Sequence, residues 1–284
     1  MRWALLFTLL LLFVSGCGSE RPAPAKHPSG KALRFGALPR EGVAVETARL
    51  GRPLLTFVGL DGRIYGRLKM ALDSDSQLLR GVVLIRNPRT GKRYALDAQH
   101  LRLQPYTGRR RYPLLVTQQT GPRGCGTFAR RGRERFLLCP ASRRKAPDAT
   151  AIDVLSLSGR HTIAGIPPHG SPPPDHPGFW AKAYLSPDGK TVLALWSREC
   201  ESPTAFFAPR AGSLRPVTGE RDWRKAPESV PLGWSRRGEA VVQLFEPGCG
   251  YGYENPGVYL IDPKTGAHRL VYQTVRSFAV MWSD

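Results

Sequence analysis

The sequence predicts an all-β chain built from repeated four-stranded antiparallel sheets, and three observations carry this. Gly (30) and Pro (26) are plentiful while Met (three) is scarce, a composition of strands and turns rather than of a helical bundle. Short apolar runs alternate with turns rich in Gly, Pro, Asp and Asn. Two stretches also match at a fixed offset of 49 residues. Ser186-Pro187-Asp188-Gly189 aligns with Ser235-Arg236-Arg237-Gly238, and the same offset pairs Val192 with Val241, Leu193 with Val242, Leu195 with Leu244, Trp196 with Phe245 and Cys200 with Cys249. A period of about 20–50 residues marks stacked units, none of which can bury its apolar face alone.

The last unit reads most fully. Val230–Trp234 is a strand, Ser235–Gly238 a tight turn and Glu239–Phe245 a second strand. A Gly-rich loop over Glu246–Pro256 leads to strands at Gly257–Asp262 and Ala267–Tyr272, joined by Pro263-Lys264-Thr265-Gly266. Alternating β-branched and aromatic residues between such turns suit half-buried antiparallel strands. Four strands in a meander make one blade of a β-propeller.

From the N-terminus, Leu33–Phe35 and Val43–Ala48 are short strand candidates. Leu54–Gly59, a turn at Leu60–Gly62 and Arg63–Leu72 lead into Gly81–Gly91, which repeats the third-strand-and-turn pattern of Gly257–Gly266 with one inserted residue. Leu114–Gln118, Phe136–Cys139 and Ile152–Ile163, turning at Ser158-Gly159, suggest an irregular blade. Residues 167–177 hold six prolines and read as a stiff connector. Phe179–Leu185, Lys190–Trp196, Thr204–Ala208 and Ser213–Val217 form the next blade. Phe278–Trp282 looks like the first strand of a further unit cut short by the chain end. A ring must close to avoid an open edge, so that strand is expected to pair with Val43–Ala48 or Leu33–Phe35 in a shared blade. The expectation is five blades, with four or six as the alternatives.

Tyr184-Leu185-Ser186-Pro187-Asp188-Gly189-Lys190-Thr191-Val192-Leu193 resembles the apolar-Ser-Pro-Asp-Gly-Lys motif of TolB-type, WD-like propeller repeats, and Asp262-Pro263-Lys264-Thr265-Gly266 is similar to their later Asp-x-x-Thr-Gly turn. The resemblance is close over residues 179–284 and weak over 50–165, since Ser235–Gly238 lacks both Pro and Asp. It implies a fold and not an activity. Propellers of this type serve both as interaction platforms and as appendages on hydrolases.

Met1-Arg2-Trp3 precedes an apolar run, Ala4–Val14, broken only by Thr8. That is the length of a signal-peptide core and well short of the roughly 20 residues needed to span a bilayer. Val14-Ser15-Gly16-Cys17 resembles the lipobox of bacterial lipoproteins, which implies cleavage after residue 16 and acylation of Cys17. The expected organisation is a signal peptide over 1–16, a Pro-rich tether over 17–32 and the propeller over 33–284. The implied location is extracytoplasmic, lipid-anchored to the cell membrane or an outer membrane. The remaining cysteines, Cys125, Cys139, Cys200 and Cys249, are even in number and contain no CxxC pair, so disulfides are expected rather than zinc. Three connectivities are open. Loop length and the repeat favour Cys125–Cys139 with Cys200–Cys249.

The formal charge is +20. Half of it lies in residues 109–145, where eleven cations face the single acid Glu134. Arg109, Arg110, Arg111, Arg130, Arg131, Arg133, Arg143, Arg144 and Lys145 are therefore the candidates for holding an anionic partner, with a compositionally biased solvated face as the competing reading. Nucleic acid is disfavoured, because an exported chain rarely meets it.

Local motifs for chemistry are missing from the sequence: there is no Gly-x-Ser-x-Gly elbow, phosphate-binding Gly loop or His-Glu-x-x-His. His169, Asp175 and His176 in the Pro-rich segment, and the acid pairs Asp73/Asp75 and Glu199/Glu201, read as solvated loop groups rather than metal or acid–base sites. Trp180, Trp196, Trp234 and Trp282 read as core between blades, and Trp223 as an exposed contact. No catalytic residue, metal or cofactor is assigned. The expectation is a non-catalytic platform for an envelope protein or an anionic envelope polymer. The alternative is a hydrolase or sugar-acting enzyme with its site at the axial mouth.

Overall fold

The computed structural model describes residues 38–49, 52–97, 102–108, 112, 114–116, 124–140, 149–167, 178–198, 201–246, 252–274 and 277–283. Its twenty strands form five four-stranded antiparallel sheets, the blades of a β-propeller. The first blade combines both ends of the described chain. β1 (Glu41–Arg49), β2 (Arg52–Gly59) and β3 (Ile64–Leu68) are followed in space, though not in sequence, by β20 (Ser277–Ser283), in the order β20-β1-β2-β3. The second blade is β4 (Ala71–Leu72), β5 (Val83–Arg86), β6 (Arg93–Asp97) and β7 (Arg102–Pro105). The third is β8 (Gly126–Arg131), β9 (Glu134–Pro140), β10 (Ala149–Ser156) and β11 (Gly159–Ala164). The fourth is β12 (Phe179–Leu185), β13 (Thr191–Arg198), β14 (Glu201–Pro209) and β15 (Arg215–Pro216), and the fifth is β16 (Ser229–Trp234), β17 (Ala240–Leu244), β18 (Gly257–Ile261) and β19 (His268–Gln273).

The two blades read most fully from sequence sit where they were expected. The first half differs. Residues 54–68 do not lead into the Gly81–Gly91 blade; they form β2 and β3 of the closing blade. The boundary falls before Ala71, where the Glu46 carboxylate of β1 accepts the Leu72 N–H. Gly81–Gly91 supplies the second strand of its blade rather than the third. The turn it shares with Gly257–Gly266 is nonetheless the same object. Asn87 Oδ1 accepts the N–H groups of Arg89 and Thr90 as Asp262 Oδ1 accepts those of Lys264 and Thr265. Gly91 and Gly266 close the two turns at φ +66° and +74°, which L side chains rarely adopt. Leu114 is not a blade strand; it makes one isolated bridge to Leu79. The third blade instead begins at β8, whose Gly-Thr-Phe-Ala-Arg-Arg has too little apolar character to announce a strand.

Middle strands are covered on both faces by neighbouring blades, so β17 and β18 are buried at every residue rather than half-buried. Apolar clusters fill the seams. Phe128, Phe136, Ile152, Trp180 and Trp196 lie between the third and fourth blades, and Leu193, Phe207, Trp234 and Val242 between the fourth and fifth. Val45, Val58, Val241 and Leu260 join the fifth to the first, and Phe57, Ile85, Leu96 and Trp282 join the first to the second. The facing sides of the second and third blades carry two smaller, separate clusters, around Leu84 and around the Cys125–Cys139 disulfide. Cys200 and Cys249 lie outside the described residues, as do Cys17, the tether and Leu33–Phe35.

Closure is specific. β1 pairs with β20 from Glu41↔Ser283 to Thr47↔Ser277, so Val43–Ala48 is the partner of the C-terminal strand. The buried Gln243 side chain of the fifth blade donates to Ser277 O (2.7 Å) and accepts from Ala279 N (3.1 Å). Trp282 is fully buried, packs against Phe57 with ring centroids 5.7 Å apart, and donates its indole N–H to Pro39 O at 3.0 Å. Gly42 lies beneath that ring, where a Cβ has no room. Trp282→Ala is expected to cost about 3–5 kcal/mol, by lost burial and an unfilled cavity. Urea denaturation reads this directly; a loss below about 1 kcal/mol would mean the ring closes without the indole.

Candidate functional site

One end strand of each sheet faces the propeller axis. The C-terminal halves of β8, β12, β16 and β20, with the segment just before β5, surround a cavity of about 350 Å³. Phe128, Leu185, Leu232, Trp234 and Met281 supply its apolar wall, and Arg80, Arg130, Arg131 and Arg236 its charge. Neither a carboxylate nor an imidazole is among its described lining residues. Below it, a chamber of about 30 Å³ shares Gly81, Tyr184, Leu232 and Met281 with the mouth and adds Ser76, Gln77 and Lys182. The two volumes adjoin across these four shared residues, and together they are the axial channel.

Each cation arrives by local geometry. Arg130 and Arg131 end β8, just before its turn into β9. Arg236 sits in the tight turn after β16, where its backbone N–H donates to Glu41 of the closing blade (2.9 Å). Arg80 follows the 3-10 turn over 74–78 that replaces most of the innermost strand of the second blade. The rim is braced between blades: Arg131 donates to the carbonyl of Asp188, and Arg210 grips Glu134 through two bonds of 2.9 and 2.7 Å. Ser186 and the Lys190 N–H both bond the Asp188 carboxylate and hold its pKa below the usual range. Burial pushes the Tyr184 phenol up, with the Arg80 charge drawing it part of the way back. Burial pushes the Lys182 ammonium down. Among the described walls the ionisable groups are thus these arginines, the Lys182 ammonium and the Tyr184 phenol.

Of the sequence candidates, Arg130 and Arg131 line the mouth, while Arg133 lies exposed on the β8–β9 turn. Arg109–Arg111, Arg143, Arg144 and Lys145 fall outside the described residues, as do His169, Asp175, His176 and the Glu199 and Glu201 side chains. Arg80, Arg236 and Lys182 were missed, since nothing local distinguishes them; only their positions within or beside an innermost strand could have flagged them. Asp75 is exposed, as a solvated loop acid should be, but Asp73 is buried. Asp73 caps the 74–78 turn, and both carboxylates bind Arg93 (2.7 and 2.6 Å), which lies over the Tyr106 ring. Hydrogen bonding to Asp75, and then to Asp73, raises the Arg93 pKa. Trp223 is not an exposed contact: Asp222 caps a short 3-10 turn that lays the indole against Phe206, leaving it 6% exposed. Trp180, Trp196, Trp234 and Trp282 are all buried between blades.

Neither a family model nor a curated protein matches the sequence. Among solved structures, puromycin hydrolase is similar at 15% identity and a TM-score of 0.32, over 86% of this chain and 39% of its own. TolB from Acinetobacter baumannii is similar at 12% and 0.32, over 86% and 55%. The periplasmic gluconolactonase PpgL of Pseudomonas aeruginosa is similar at 15% and 0.29, over 85% and 67%. The chain thus spans about two fifths of the puromycin hydrolase length.

Because the folded-state pKa of Asp188 is depressed, its carboxylate stabilises the fold above the usual value of 3.8, and the contribution is lost as pH falls through the lowered value. Asp188→Asn is therefore expected to lower the unfolding midpoint near neutral pH, with the gap narrowing as the pH falls below 3.8. Paired thermal melts across that range check it.

Proposed function

We propose that this chain is an extracytoplasmic lipoprotein, anchored through Cys17, whose propeller is a non-catalytic platform for an anionic envelope polymer. One observation carries the reading: the described wall of the axial mouth offers four guanidinium groups and no acid or imidazole. A hydrolytic or sugar-acting site assembled there requires carboxylates or histidines converging from several blades. Guanidinium groups on a rim open to solvent instead favour long-range attraction and bidentate grip of anionic groups. The strongly basic composition extends that attraction over the surface. A second acyl signal beyond one chain makes lipid anchoring durable, which suits a platform that must stay at the membrane while its ligand extends away from it.

Binding of poly(glycerol phosphate) chains to the full-length protein in detergent tests the platform. Affinity is expected to fall by about tenfold or more as salt rises from about 0.01 to 0.15 M, because the Debye length shortens from about 30 to 8 Å. Salt-insensitive binding, or none at low salt, would sink the polymer reading. The anchor is tested separately: label from radioactive palmitate should appear in the chain and vanish with Cys17→Ser.

A further inference from the structure

We infer that the axial channel is a phosphoryl-group site, in which the arginines of the mouth receive an end phosphate and the Lys182 ammonium forms the floor beneath it. This rests on the polymer-binding reading above and specifies which part of the polymer is held, and where. Three features converge on it.

The first is continuity. The mouth and the chamber share four lining residues, so a group seated among Arg80, Arg130, Arg131 and Arg236 points down the axis toward Lys182. The chamber has room for a water-sized group, such as a single phosphoryl oxygen, and not for a sugar or a side chain.

The second is charge of a single sign. Every ionisable group of the described channel wall other than the Tyr184 phenol is a cation. Lys182 is the informative one. It projects from the innermost strand of the fourth blade into a space walled by Pro231, Leu232, Ala279 and Met281. The nearby polar groups do not neutralise it: Ser76 Oγ already accepts the Leu84 N–H, and Gln77 carries no charge. Burial accordingly disfavours its ammonium form. A cation placed on the axis of a ring, away from any carboxylate of the channel wall, is compensated when an anion enters from the open end.

The third is valence. A monocarboxylate brings one charge and two acceptor oxygens to this set. A phosphate monoester carries about −1.5 to −2 near neutral pH and three acceptor oxygens, enough to engage forked guanidinium groups at the rim and an ammonium below at once.

Calorimetry on the detergent-solubilised full chain provides the test, with glycerol 3-phosphate, poly(glycerol phosphate) and polyglutamate as probes. Arg80→Ser and Lys182→Met are each expected to weaken phosphate binding by about tenfold or more, whereas Arg89→Ser, on the remote 87–91 turn, changes it by less than about twofold. Lys182→Arg, which keeps the charge, is expected to stay within about threefold of the unsubstituted chain, separating lost charge from disturbed folding. Binding of both phosphate probes with this pattern points to any phosphate monoester. That result supports the site, whereas binding of the polymer without glycerol 3-phosphate means that backbone phosphodiesters and not an end phosphate are held, and overturns it. Polymer binding indifferent to Arg80→Ser and Lys182→Met overturns the site while leaving the platform standing. Variant-sensitive binding of glycerol 3-phosphate without polymer binding does the reverse. Polyglutamate bound more tightly than both phosphate probes overturns the phosphoryl assignment in favour of an acidic peptide.

Discussion

The pairing of β20 with β1 is the interaction on which the rest of the molecule depends. Every other sheet is assembled from strands consecutive in sequence, whereas this one joins residues 41–68 to 277–283. Without it the first blade lacks its innermost strand, and the fifth blade loses the partner for Gln243. Loop-closure entropy grows only slowly with loop length, so one distant pairing costs little more than a near one. In return it covers two seams at once: Met281 and Ala279 pack with Val241 and Leu260 on one side, and Trp282 and Val280 with Phe57 and Ile85 on the other. The buried Gln243 amide adds direction, because leaving its donor or acceptor unmet in that seam is costly.

Ring geometry also decides what chemistry the axis can display. Among the described residues, innermost strands and their adjoining turns supply nearly all of its wall. The second, third and fifth blades each place arginine there. Like charges gathered at a solvent-exposed rim repel weakly, because the surrounding dielectric is high. Arg131 is further tied down by the Asp188 carbonyl of the next blade. Deeper in the channel, where Lys182 sits, the same arrangement is more costly, and this gradient gives the channel its polarity.

Much of the fold was readable where the turn chemistry is complete. Ser186–Gly189 and Asp262–Gly266 contain the residues whose side chains and φ values make the turns, so the strands beside them could be bounded closely. The closing strand at 278–282 was legible because an unpaired edge is unstable, and Val43–Ala48 was one of the two partners the sequence offered for it. The first half resisted because its boundaries are set by distant contacts. β4 is two residues long and β8 is one-third arginine, and both are strands by virtue of their neighbours. Trp223 was misread for a related reason: a charged surrounding sequence says little about an indole that a capped turn folds back onto Phe206. The site was legible only at Arg130 and Arg131. Arg80 and Arg236 lie 156 residues apart, and only the ring brings them to one rim.

Met281 and Ser283 belong to the strand that closes the ring, and both also line the mouth. Occupancy and closure are therefore thermodynamically linked. A ligand gripped at the mouth recognises the closed ring and not a chain whose C-terminal strand has come away. Its free energy of binding is added to that of closure by mass action, in proportion to the logarithm of its concentration above the dissociation constant. A full mouth fastens the C-terminus, and a frayed C-terminus empties the mouth.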